Sequence, residues 1–256
     1  SCSDDSLDNG KAVVNPVQTG DEILFGSKLS GDAADSRTVY GDRTTTGVPV
    51  EWTSGDQIAI YCPQSSQPAS HLVNYNVTPD TENPSTALEV TKEKAEEAGL
   101  QWGSSDVHEF YAFYPARAVK ETIDAGEAGQ GQGKVRANIP VEQDVTSWRD
   151  GTMTIDGKEV TTHFGLPNMD LAYMYAYNSV DKDTVSETTP VNLPFHNLLT
   201  VLDITIPGPE NADSVVVTAI NVDDVSGENL ALTGDFYCYM TNKSGHEPGY
   251  CEPVSD

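Results

Sequence analysis

The chain has 256 residues, with 40 acidic against 14 basic side chains and a formal charge of −26 at pH 7. So negative a field repels phosphate backbones and anionic headgroups, which argues against nucleic acid and charged membrane surfaces as partners. No apolar run approaches the ~20 residues of a spanning helix, so any membrane attachment has to be covalent or lie outside these residues. Apolar residues make up 37%, and the polar remainder is rich in Thr, Ser, Asn, Gly and Asp. Those are turn and strand-surface residues rather than helix formers.

In chain order, residues up to about Asp21 lack apolar periodicity and include Asn9-Gly10 and Asn15-Pro16, so 1–22 reads as a flexible tether. Short apolar pieces between turn residues then predict strands at Glu22–Phe25, Gln57–Cys62, Val107–Tyr114, Lys134–Ile139 and Leu171–Tyr177. Further pieces follow at Leu198–Ile206, Ser214–Val222 and Leu230–Met240. One helix is predicted over Thr91–Leu100, which offers an N-cap, good helix formers and a terminating Gly99. Many short strands with frequent turns predict an all-β, sandwich-type fold. The polar stretch Ser179–Thr189 divides it into 23–180 and 190–256. The second part is short and shows no obvious final strand, so the expectation is an incomplete domain or one completed by a strand from elsewhere.

The cysteines are Cys2, Cys62, Cys238 and Cys251, without a CxxC pair or a histidine at metal spacing, so no metal site is expected. Cys238 and Cys251 are close enough in sequence to bridge neighbouring strands or a strand and its loop. Cys62, in the run Ile58-Ala59-Ile60-Tyr61-Cys62, reads as a small buried apolar residue. The opening Ser1-Cys2-Ser3-Asp4-Asp5-Ser6 resembles a bacterial lipoprotein processing site, with Cys2 becoming the lipidated N-terminus. The alternative is an incidental terminal cysteine. The aspartates after Cys2 resemble the surface-export signal of Bacteroidetes lipoproteins, and an acyl chain can tether a soluble domain to a membrane.

Segments in order resemble the Bacteroidetes fimbrillin family. They are Trp52-Thr-Ser-Gly-Asp-Gln-Ile-Ala-Ile-Tyr61, Phe110-Tyr-Ala-Phe-Tyr-Pro115, Ile139-Pro-Val-Glu-Gln143 and Leu193-Pro-Phe-His-Asn-Leu-Leu-Thr-Val-Leu202. The resemblance runs from Cys2 to about Met240. It implies two Greek-key, transthyretin-like β-sandwich domains in tandem, exported as an outer-membrane lipoprotein. Its expected role is a stalk, anchor or tip subunit of fimbriae. In polymerising members, a protease cuts after an arginine, removes an N-terminal strand and opens a groove for a strand of the next subunit. On this chain the removable strand lies within Glu22–Leu29, beginning Glu22, Ile23, Leu24, Phe25, and the candidate cleavage sites are Arg37 and Arg43. The implied partners are other fimbrial subunits, the outer membrane through the lipid on Cys2, and host or bacterial receptors or glycans.

Catalytic chemistry finds little purchase. Gly129-Gln-Gly-Gln-Gly-Lys134 fails the phosphate-loop pattern because residue 128 is Ala and Val135 follows the lysine. The five histidines are scattered singly, and neither Asp181-x-Asp183 nor Asp223-Asp224…Glu228 has calcium-loop spacing. No catalytic residue and no cofactor are expected, and the protein reads as a non-enzyme. His196, between Phe195 and Asn197, reads as a hydrogen-bonded structural residue. The alternative is a surface glycan-binding lipoprotein of β-sandwich type, with Trp102, Trp148 or Tyr250 as an exposed sugar platform.

Overall fold

The structure, a computed structural model, describes residues 15–29, 39–40, 50–124, 126, 129–144, 147–155, 157–166, 168–199 and 232–254. Their strands are β1 (Phe25–Leu29), β2 (Val39–Tyr40), β3 (Val50–Glu51), β4 (Asp56–Tyr61), β5 (Leu72–Pro79), β6 (Ala87–Lys92) and β7 (Val107–Tyr114). There follow β8 (Glu121–Ile123), β9 (Lys134–Ile139), β10 (Ser147–Ile155), β11 (Lys158–Leu166), β12 (Met174–Asp181), β13 (Val191–Asn197), β14 (Gly234–Tyr239) and β15 (Tyr250–Pro253). The fold is all-β: among the described residues the only helices are 3-10 turns at Ala116–Ala118, Met169–Leu171 and Lys182–Thr184. None of these is long and apolar enough to cross a membrane.

Seven strands close into a barrel in the order β1-β13-β12-β7-β4-β5-β6. A four-stranded sheet, β15-β14-β9-β8, lies apart from it in pairing, while β10 and β11 pair with each other as a two-stranded hairpin. The apolar side chains fall into two cores. Inside the barrel are Ile23, Phe25, Trp52, Ile58, Ile60, Phe110, Ala112, Tyr114, Met174, Leu193 and Phe195. The second core packs Tyr111, Phe113, Tyr173 and Tyr175 of the barrel's outer face against Val135, Ala137, Phe236 and Cys238 of the four-stranded sheet.

This arrangement explains the aromatic run at Phe110–Tyr114. Successive strand residues point to opposite faces, so Phe110, Ala112 and Tyr114 fill the barrel while Tyr111 and Phe113 fill the second core. A strand buried on both faces needs an unbroken apolar sequence rather than an alternating one. The Trp52–Tyr61 motif is also structural. Gly55 turns at φ +98°, Asp56 accepts from the Thr53 amide at 2.6 Å, and Trp52 packs edge-on against Tyr114 and Phe195.

The structure corrects several expectations. The chain does not divide at Ser179–Thr189, because β13 pairs with both β12 and β1, and β14 pairs with β9. Residues from both expected domains thus share one barrel and one sheet. Across β14 and β9, Arg136 grips Asp235 through Nε at 3.0 Å and Nη2 at 2.7 Å. With Asn138 and Lys120 it holds that carboxyl down at about 2. The polar stretch is ordered through its own hydroxyls: Ser186 is buried and its Oγ lies 2.7 Å from that of Thr189.

The helix predicted over Thr91–Leu100 is absent. Thr91 and Lys92 pair with Asn76 and Tyr75 in β5, turns follow, and Leu100 is fully buried with its amide donating to the Tyr75 hydroxyl at 2.9 Å. Ten residues make a marginal helix by themselves, and strand pairing plus burial of Leu100 outweigh the local propensity. Residues 15–22, assigned to the tether, are docked on the body. Val17 is buried, and the Gly20 amide and Asp21 carbonyl form a reciprocal pair with the Trp102 backbone at 2.8 and 2.9 Å.

Candidate functional site

The barrel closes at β1, where the predicted removable strand lies. Ile23 and Phe25 are buried, Leu24 between them is 46% exposed, and Ser27 is again buried. This period of two lays one face of the segment into the barrel and the other outside. Phe25 meets the rings of Tyr75 and Phe110 edge-on, with centroids 5.1 and 5.6 Å away. On one side β1 runs parallel to β13 from Phe25↔Val191 to Leu29↔Phe195, and the Val191 amide donates to the Leu24 carbonyl at 2.8 Å. On the other side it meets β6 only at Phe25↔Val90. The β1–β6 seam is the least bonded joint of the barrel wall. The Ser27 hydroxyl has no hydrogen-bond partner among the described residues although it is shut away from solvent, a placement that costs ~1–3 kcal/mol. The resident strand therefore fills its slot imperfectly.

A second place of interest is an open cleft of about 340 Å³ lined by Glu109, Gly129, Gly131, Gln132, Tyr177, Thr241, Asn242 and Pro248. Its floor is the outer face of β7 and β12. Glu109 accepts from the Tyr177 hydroxyl at 2.9 Å, and burial, with that bond second, pushes the phenol up to about 12. One wall is the Gly/Gln loop. A Cβ on Gly133 would sit 1.9 Å from Cδ1 of Tyr111, and φ there is +63°, so only glycine lets the loop lie on that ring. The loop is pinned by the Gln132 amide donating to Thr241 Oγ1 at 2.5 Å, while the Tyr111 hydroxyl donates to Gln132 Oε1 at 3.3 Å.

The other predicted residues are distributed widely. Cys2, Arg37 and Arg43 lie outside the described residues. Cys62 is fully buried, and burial pushes its thiol up to about 12. Cys238 and Cys251 face each other in register across β14 and β15, both as free thiols. The contact between them raises the Cys238 thiol and lowers that of Cys251. Directly opposed strand residues fall within the Cα span that a disulfide accepts. His196 is exposed and stacks against Tyr175, centroids 5.5 Å apart.

The three aromatics of the glycan-binding alternative lie in different settings. Trp102 is a core residue, whereas Trp148 is 60% exposed on β10, and Tyr250 stacks on His246 at 3.6 Å. Among the described residues no cluster of three or more His, Cys, Asp or Glu is placed to hold a metal.

Two features escaped the sequence reading. His108 is completely buried in β7, accepting from the Gly103 amide at 2.8 Å and lying 4.8 Å from the Trp102 ring. Burial, with Lys182 nearby, lowers it to about 4. The cleft was also missed, although the Gly/Gln run that forms its wall stood out in the sequence. No protein-family model, curated protein or solved structure compared with the chain matches it.

Proposed function

We propose that the chain is a structural or adhesive subunit of cell-surface fimbriae, assembled by β-strand exchange at the slot that β1 occupies. The observation that carries this reading is the β1 seam. An amphipathic strand at the chain's N-terminal side closes the barrel, paired with β13 along its length and on the other side with β6 at Phe25↔Val90, preceded there by the Ile23 amide donating to the Leu100 carbonyl at 2.9 Å. Removing it would uncover unpaired backbone on β13 and β6 and a slot lined by Tyr75 and Phe110. Unpaired edges beside empty side-chain pockets are what an incoming strand recognises.

A donor strand with apolar residues at alternate positions would restore the burial of Ile23 and Phe25, ~1.5–3 kcal/mol each. An apolar residue in place of Ser27 would improve on the resident. A lipid on Cys2 would hold the uncut subunit at the outer membrane, and cleavage at Arg37 or Arg43, downstream of β1, would separate the strand and that anchor covalently from the body. The two-sandwich organisation of the resemblance survives in this reading only as two cores, one within the barrel and one beneath the four-stranded sheet.

Treatment of the purified chain with an Arg-specific protease tests the reading, followed by denaturing gels and size-exclusion chromatography. The expected result is a cut between β1 and β4, loss of the N-terminal piece, and a ladder of associated species. A clean cut after which the N-terminal piece never leaves the body would contradict it.

A further inference from the structure

The cleft on the outer face of β7 and β12 belongs to neither the seam nor a core, and we infer that it is a binding site for a neutral carbohydrate. Its lining offers an arrangement of groups suited to hydroxyls. Glu109 accepts from Tyr177 at 2.9 Å and from Gln64 at 3.4 Å. A carboxylate has about four acceptor positions, so capacity for a ligand donor remains. Gln132 spends its Oε1 on Tyr111 and leaves Nε2 without a partner among the described residues. The Asn242 side chain, exposed at the rim, makes no hydrogen bond among them either. A carboxylate acceptor beside two amides matches the paired donor and acceptor character of vicinal hydroxyls, while Tyr177 and Pro248 supply apolar surface for the C–H face of a sugar ring.

Other ligand classes fit less well. Among the described residues no lining residue is cationic, and the chain carries −26 overall, so an anion would meet repulsion. A calcium ion takes six to eight oxygen ligands, typically with several carboxylates, and among the described residues the lining holds one carboxylate. An extended peptide would need a free strand edge, but the cleft floor is a face of the sheet, where β7 pairs with β12 along its whole length and with β4 at Tyr111–Phe113. The wall is pre-formed: Gly131 and Gly133, both at positive φ, let the loop pack against Tyr239 and Tyr111, and Thr241 fixes it through two bonds to the Gln132 backbone. A site that needs little ordering retains more of its binding energy.

The inference does not rest on strand exchange, since no lining residue belongs to β1, β6 or β13. A chain whose β1 never leaves would still bind sugar. The test is saturation-transfer NMR on the full chain with methyl glycosides of mannose, galactose, fucose and N-acetylglucosamine, and with sialic acid as the charged control. At least one neutral glycoside should receive saturation, with Kd weakened at least tenfold in Asn242→Ala and in Glu109→Gln, and sialic acid should receive none. Asn242 is exposed, so its variant should melt like the parent, and the melt separates lost contact from lost fold. The inference is overturned if none of the four glycosides binds at millimolar concentration. It is equally overturned if both variants bind like the parent, or if sialic acid binds as well as the neutral sugars.

Discussion

β1 and β7 stand in the same barrel wall but are held by very different amounts of structure. β7 pairs with β12 over its whole length and with β4 over part of it, and from Phe110 to Tyr114 its side chains are buried on both faces. β1 has one continuous partner, one buried face and an unsatisfied hydroxyl in its slot. A strand of the first kind cannot leave without global unfolding. A strand of the second kind can open as a local unit, in the way low-stability segments of many folds do. The difference lies in pairing and two-sided burial, not in hydrophobicity, since Phe25 and Phe110 touch the same core.

Truncation sharpens that contrast most. Phe110→Ala should cost ~3–5 kcal/mol of global stability, the usual range for a buried Phe. Phe25→Ala should cost less, because once β1 detaches, further loss of its contacts no longer destabilises the remaining body. Urea unfolding of the two variants side by side checks this, and equal losses would mean that β1 is as integral as β7.

Acid probes β7 through His108. Its folded pKa of about 4 lies below the ordinary 6.5, so in that window the unfolded chain binds the extra proton. The stability it contributes is complete above pH 6.5 and falls as pH drops toward 4, by ~3 kcal/mol in total. His108→Gln preserves an acceptor for the Gly103 amide and removes the titration. The variant should therefore lose less stability than the parent between these pH values, as read by denaturant midpoints. Parallel pH profiles would show that His108 is already charged in the folded state.

The smallest effect tests the imperfect slot. Ser27→Ala removes a hydroxyl that burial leaves unpaired and should stabilise the chain by ~1 kcal/mol. That corresponds to a Tm rise of about 2–4 °C for a chain near this size, measurable by calorimetry. A fall in Tm would mean that the hydroxyl has a partner.

The best-read strands were those that are buried on both faces or flanked by strong turns. Val107–Tyr114 and Lys134–Ile139 were delimited residue for residue because their apolar content and bounding Pro or Gly leave little choice. β5 and β6 passed unnoticed, since strands rich in Asn, Thr and Glu carry few apolar markers, and β10 and β11 were likewise not read. The false helix at Thr91–Leu100 and the false boundary at Ser179–Thr189 have a common cause. Local composition favoured helix or linker, and long-range pairing decided otherwise. The cleft was illegible for a related reason: Gln132 and Thr241, bonded across its wall, are 109 residues apart. Expectations on Leu198–Ile206 and Ser214–Val222 fall almost wholly outside the described residues.

The separability of β1 is most directly tested by native-state hydrogen exchange across low denaturant concentrations. Amides of Phe25–Leu29 should exchange through an opening well below the global unfolding free energy, while those of Val107–Tyr114 exchange only with global unfolding. Identical exchange free energies for the two strands, converging on the global value, would contradict the account.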